Sequence, residues 1–170
     1  MTGTTSLSPE RADILESLAT HRNFLRFTVR GLTDDQATQR PTASELTLAG
    51  LIKHVAGTEA AWVRFIEGGP EAMSSDWSPE AWAREWRLEP GQTLASVLED
   101  YTAVAAHTDE LVATLPDLDA SHPLPAAPWF PPGARRSARR VFLHIIAETA
   151  QHAGHADILR ESIDGQKTMG

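Results

Sequence analysis

One run of residues, VFLHIIAETAQHAGHADILR from Val141 to Arg160, restricts what this chain can fold into more than any other. Wound as an α-helix at about 100° per residue, it brings His144, Glu148, His152 and His155 within an arc of about 80°, with Val141 and Leu159 near the middle of that arc at either end. A polar cluster thus interrupts an apolar stripe. A solvated face would not be bracketed by Val and Leu, and a carboxylate buried beside imidazoles needs a proton, a partner or a cation to offset its desolvation. Glu148 and His152, four apart, can close on one ion from the same side of the helix, so a bound divalent metal is the economical explanation. The same spacing also describes an ordinary helix-surface pair. A third ligand must therefore come from another segment.

The stretch LAGLIKHVAGTEAAWVRFIEGG, capped by Thr47, supplies a candidate. With His54 set to zero, Phe65 falls at about 20°, Leu51 at about 60° and Trp62 at about 80° around the helix. His54 therefore shares a core stripe with large apolar residues. A lone histidine in such a stripe is usually structural, but with Glu148 and His152 it completes the His, Glu, His set that a helical bundle uses for a catalytic metal. His155, one turn beyond His152, is a candidate partner for that imidazole or a proton acceptor, and His144 a weaker one. His21 reads as a hydrogen-bonded core histidine.

Two further amphipathic segments flank these. Ser8-Pro9-Glu10 opens a first helix whose apolar positions Ile14, Leu18, Leu25 and Val29 run on to Gly31 as its C-cap. Thr33-Asp34-Asp35-Gln36 is a capping signature for a short helix. Leu94, Val97, Leu98, Tyr101, Val104, Thr108, Leu111, Val112 and Leu115 mark a long third helix with no acid or imidazole at the centre of its stripe. Between the second and third long helices lies a connection long enough to cross the molecule, with Ser78-Pro79-Glu80 starting a short helix and Trp77, Trp82 and Trp86 expected as core filling. The third long helix can then run parallel to the second. The expected fold is all-α, a helical bundle within one domain spanning residues 1–170.

Before the fourth helix, PDLDASHPLPAAPWFPPGARR holds six of the eleven prolines, which leaves little room for regular structure. Trp129-Phe130 gives this loop something to bury, and it is expected to rim a substrate pocket with Trp62 and Trp129 at its border. Ser137 can cap the fourth helix. Arg135, Arg136, Arg139 and Arg140 crowd its start, where the helix dipole disfavours cations, and so suggest an anionic ligand or acidic side chains as partners.

Charge and composition narrow the function. Lys and Arg number 15 against 23 Asp and Glu, a net charge of −8, which argues against a nucleic-acid partner. No apolar run approaches a membrane span, and the N-terminus lacks signal character, so the expected location is the cytoplasm. With no cysteine, any metal must be held by His and carboxylate, and any thiol chemistry must use a thiol carried by another molecule.

The pattern Leu51-Ile-Lys-His54-Val-Ala-Gly-Thr-Glu59-x-x-Trp62, followed by His144-Ile-Ile-Ala-Glu148-Thr-Ala-Gln-His152-Ala-Gly154-His155-Ala-Asp157-Ile-Leu-Arg160, resembles the DinB-like superfamily, in particular its mycothiol transferase branch, which includes the mycothiol-dependent maleylpyruvate isomerase. The likeness extends from Ser8 to Gly165. It implies a four-helix bundle in up-down-down-up order, a divalent metal held by His54, Glu148 and His152, and a homodimer. The expected activity is transfer of a low-molecular-weight thiol, mycothiol-like, to a small electrophile. Zinc suits the donors best, with nickel, iron or manganese compatible. A metal-dependent hydrolase of small substrates, or a bundle that binds a metal or small ligand without catalysis, would use the same ligands.

Overall fold

Serine and threonine hydroxyls decide where the helices begin. In the computed structural model, which describes residues 7–73 and 78–168, Ser8 caps α1 (Pro9–Phe27) and Thr33 forms a reciprocal capping box with Gln36 on α2 (Asp34–Ala37). Thr47 caps α3 (Leu48–Gly68), Ser78 caps α4 (Pro79–Glu85), Thr93 caps α5 (Leu94–Thr114) and Ser137 caps α6 (Ala138–Asp164). Each hydroxyl accepts from a backbone N–H that the first turn leaves without a partner. Gly165, at φ 80°, ends α6 in the left-handed conformation that a side chain would oppose. Among the described residues the fold is all-α apart from one short antiparallel pair, β1 (Ser121–Pro123) with β2 (Arg135–Ser137), in which Ser121 faces Ser137.

Among the four long helices, α6 packs on both α1 and α3, and α3 also packs on α5. Two apolar clusters form along these contacts. The first joins Leu25 and Val29 to Leu51, Ile52 and Val55, then to Leu94, Val97, Tyr101, Ala156 and Leu159. The second joins Ile14 and Leu18 to Trp62 and Phe65, with Val112, Val141, Phe142 and Ile145. Each fully buried Leu, Ile or Phe in them stabilises the fold by roughly 1.5–3 kcal/mol. Between the clusters, Arg22 of α1 donates from Nε and Nη2 to Glu59 of α3, and Thr108 of α5 donates to the same carboxylate at 2.6 Å.

Three local expectations change. The first helix stops at Phe27, not near Gly31, because the next amides bond three residues back: Thr28 N to Leu25 O, Val29 N to Arg26 O and Arg30 N to Phe27 O. This tightens the chain into a turn that Gly31 closes at φ 75°. The proline-rich segment is not wholly irregular, since β1 and β2 pair across its base. Trp82 is exposed and fills no core, whereas Trp86 packs partly buried against the first cluster; four apart on and just beyond α4, both come against His54. Trp77 lies outside the described residues.

Candidate metal centre and its cavity

The apolar stripe of α3 carries His54 inward, and the packed face of α6 carries Glu148 and His152 on successive turns, so the contact between these two helices closes the cluster. His54 Nε2 lies 3.2 Å from Glu148 Oε1 and His152 Nε2 lies 3.1 Å from the same oxygen. One ligand atom from each residue falls within 4.8 Å of the others, the one such triad among the described residues. His54 and His152 are buried, and Glu148 is partly exposed.

Two imidazoles and one carboxylate suit a borderline divalent cation, and three protein donors leave it an open position. The second nitrogen of each ring also has a place. His54 Nδ1 is buried with no hydrogen-bond partner among the described residues, and Glu85 Oε2 stands 3.6 Å away, close enough for an ion pair. His152 Nδ1 faces His155 Nδ1 at 3.3 Å. Rings that give Nε2 to a metal keep their proton on Nδ1, and groups at that position fix the tautomer and the ring angle. Trp86 stacks on His54 with centroids 3.8 Å apart and planes 16° from parallel, restraining the same ring.

Titration follows from these contacts. Hydrogen bonds from His152 and His54 hold the Glu148 carboxyl well below its ordinary range despite burial. Burial alone would lower His54, but its bond to Glu148 and the nearby Glu85 outweigh that and raise it. His144 is lowered, by burial first and then by the charge of Arg136.

A cavity of about 1020 Å³ opens beside the triad. His54 and Glu148 line it, together with Trp62 and Trp129. His144 lines it too, edge-on to Trp62 with centroids 5.0 Å apart. His155 sits behind His152, and His21 packs edge-on against Phe24. Within the basic cluster, Arg139 pairs with Glu10 and Asp119, while Arg135, Arg136 and Arg140 line the cavity, Arg135 bonding Ser121. Sequence reading missed Trp82, Trp86 and Glu85 as neighbours of His54. The available signal was a tryptophan pair four apart on a helix too short to bury both against its own turns.

A helical protein whose long helices bring His, Glu and His together in this way is of the DinB-like class. The chain belongs to the mycothiol S-transferase family, whose family model matches residues 13–165. Among solved structures it is similar to a conserved protein from Enterococcus faecalis, with a TM-score of 0.60 over 91% of this chain and 97% of that one. At 16% identity that likeness is one of fold. No curated protein matches the chain.

Proposed function

We propose that this protein is a metal-dependent S-transferase that joins a low-molecular-weight thiol, mycothiol or a close analogue, to a small electrophile. The observation that carries this reading is the meeting of His54, Glu148 and His152 at the end of an aromatic-walled cavity, in a chain of the mycothiol S-transferase family. His54, Glu148 and His152 would hold the cation. When bound, that cation supplies Lewis acidity that lowers the pKa of an entering thiol. The cavity has the volume of a site for a small-molecule ligand, and Trp62 offers an apolar wall that keeps water from the reacting groups. In the reaction the thiol sulfur bonds to the electrophilic carbon, the displaced electron pair leaves with the leaving group, and the thiol proton must be accepted. His144 lines the cavity and its lowered pKa keeps it neutral near pH 7, so it can take that proton on a ring nitrogen. His155 is assigned a positioning role, holding His152 through the facing Nδ1 atoms.

The fuller architecture belongs to the same proposal. Residues late in α1 and α6 share one cluster with residues early in α3 and α5, while early α1 and α6 share the other with late α3 and α5. This supports an up-down-down-up bundle in one domain. Zinc as the ion, the cytoplasm as the compartment and a homodimer as the assembly complete the reading.

The test is conjugation of mycothiol to a chromogenic alkylating electrophile by zinc-loaded protein. We expect turnover that needs both thiol and metal and falls by at least about a hundredfold in His54→Ala. Ester hydrolysis without added thiol by the same preparation would instead favour a hydrolase. Absence of conjugation across several thiols would end the proposal.

A further inference from the structure

Three arginines line the cavity; Arg135 bonds Ser121, which leaves Arg136 and Arg140. β2 directs Arg136 to the position opposite His122, and its guanidinium lies 4.6 Å from the Trp62 ring centroid and 5.4 Å from that of Phe130. Arg136 is half-buried, and its Nη1 is buried with no hydrogen-bond partner among the described residues. Arg140, in the first turn of α6, lines the same cavity. No carboxylate among the described residues pairs with either arginine, although their neighbour Arg139 takes two. In a chain of net charge −8, that is a distinctive arrangement.

Contact with two aromatic faces compensates part of the cost of burying a guanidinium, but leaves the Nη1 donors unmet. Each arginine also repels the other. Burial, and then the charge of Arg140, lowers the pKa of Arg136, so an anion between them would relieve both penalties together. Held over these rings, the Arg136 guanidinium keeps N–H donors whose fork suits a planar carboxylate.

We infer that Arg136 and Arg140 form a carboxylate subsite, so that the electrophile this protein takes is an organic acid. The inference rests on the S-transferase reading and supplies its substrate class. Arg140, His144 and Glu148 succeed one another at four-residue steps along α6, so the subsite and the metal-binding end stand about 12 Å apart along the helix axis. A carboxylate held by the arginines would leave the far end of a short chain or one aromatic ring beside His144 and the triad. The cavity then reads an acceptor by its length as well as its charge.

Isothermal titration of the zinc-loaded protein with 3-phenylpropanoate and its neutral isostere 3-phenylpropanamide tests this without turnover. We expect the acid to bind about tenfold more tightly, the value of one charge-assisted hydrogen-bonded contact. Arg136→Gln should bring the two ligands to within about twofold, and Arg140→Gln should cut the preference by about threefold. The preference should survive in metal-free protein and in His54→Ala. Equal binding of acid and amide by the parent would overturn the inference. So would a preference that persists in both arginine variants, or one that vanishes in His54→Ala, since the carboxylate would then be bound through the metal site. Circular dichroism checks folding; should Arg136→Gln fail to fold, Arg136→Lys, with the charge but not the flat fork, and Arg140→Gln decide by the same criterion. A carboxylate preference without thiol conjugation would refute the S-transferase reading and leave the subsite standing. Conjugation indifferent to the carboxylate would do the reverse.

Discussion

Glu148 is the residue on which the site turns, because a single oxygen of its carboxylate receives both His54 and His152. Replacing it with alanine leaves two imidazoles with no anion between them and removes the only negative ligand. Elemental analysis of purified protein should give about one metal ion per chain in the parent and little in His54→Ala, Glu148→Ala or His152→Ala. His155→Ala should retain metal with an affinity lower by about 10–100-fold, since it acts through His152 Nδ1. Unchanged affinity, measured by competition with a chelator, would remove its positioning role. That His54, Glu148 and His152 share one site was legible in the sequence because their angular positions on two helices depend only on local winding. Glu85 was not, since it reaches the cavity through the path of a connecting segment that periodicity does not describe, and Arg136 was legible only as one of a basic cluster.

Elements place these residues, and among the described glycines the tightest approach is at Gly50, early in α3. A Cβ built there would lie 2.1 Å from the backbone carbonyl oxygen of Trp86, so any side chain must push the α4 connection away. Trp86 is the residue stacked on His54, which ties a backbone contact to the ring that would bind metal. Gly50→Ala should therefore lower stability by about 1–3 kcal/mol. It should also weaken metal affinity, whereas Gly57→Ala, where an added Cβ meets no atom within 4 Å, should leave metal affinity intact. Thermal melting and chelator competition on the two variants check this. The element boundaries show the same division between legible and hidden. Ser8, Thr33, Thr47, Ser78 and Ser137 cap where the sequence places them, because an N-cap is decided within four residues. The end of α1 is decided by the turn after it and by Arg160 of α6, which donates to the Thr28 and Arg30 carbonyls, a contact between residues far apart in the chain.

Across the whole molecule, buried charge ties the helices together and makes stability depend on pH and metal. Arg22 and Glu59 are both buried, and Arg22→Ala would leave the Glu59 carboxylate without its guanidinium, a loss of roughly 3–5 kcal/mol that chemical denaturation should detect. The triad adds a second dependence. Glu148 is depressed from an ordinary value of 4.5, so its contribution is present above that value and is lost as pH falls through the folded one. His54 is raised from 6.5, so its contribution is present below that value and is lost as pH rises through the folded one. Metal-free protein should accordingly hold the triad best between pH 4.5 and 6.5, where Glu148 is ionised and His54 is protonated. A metal ion needs both imidazoles unprotonated, so it competes with the proton on His54 and binds more tightly as pH rises. Binding to the folded state alone then adds stability in proportion to the logarithm of ligand concentration over the dissociation constant. Calorimetric melting between pH 5 and pH 8, with chelator or with zinc, should show two curves that separate as pH increases. The chelated protein loses the His54 contribution over the same range in which the zinc-bound protein gains. Titration of zinc in buffers of different ionisation enthalpy should register proton release below the raised value of His54 and less above it. A separation independent of pH, or zinc binding without proton release near pH 6, would place the cation somewhere other than His54.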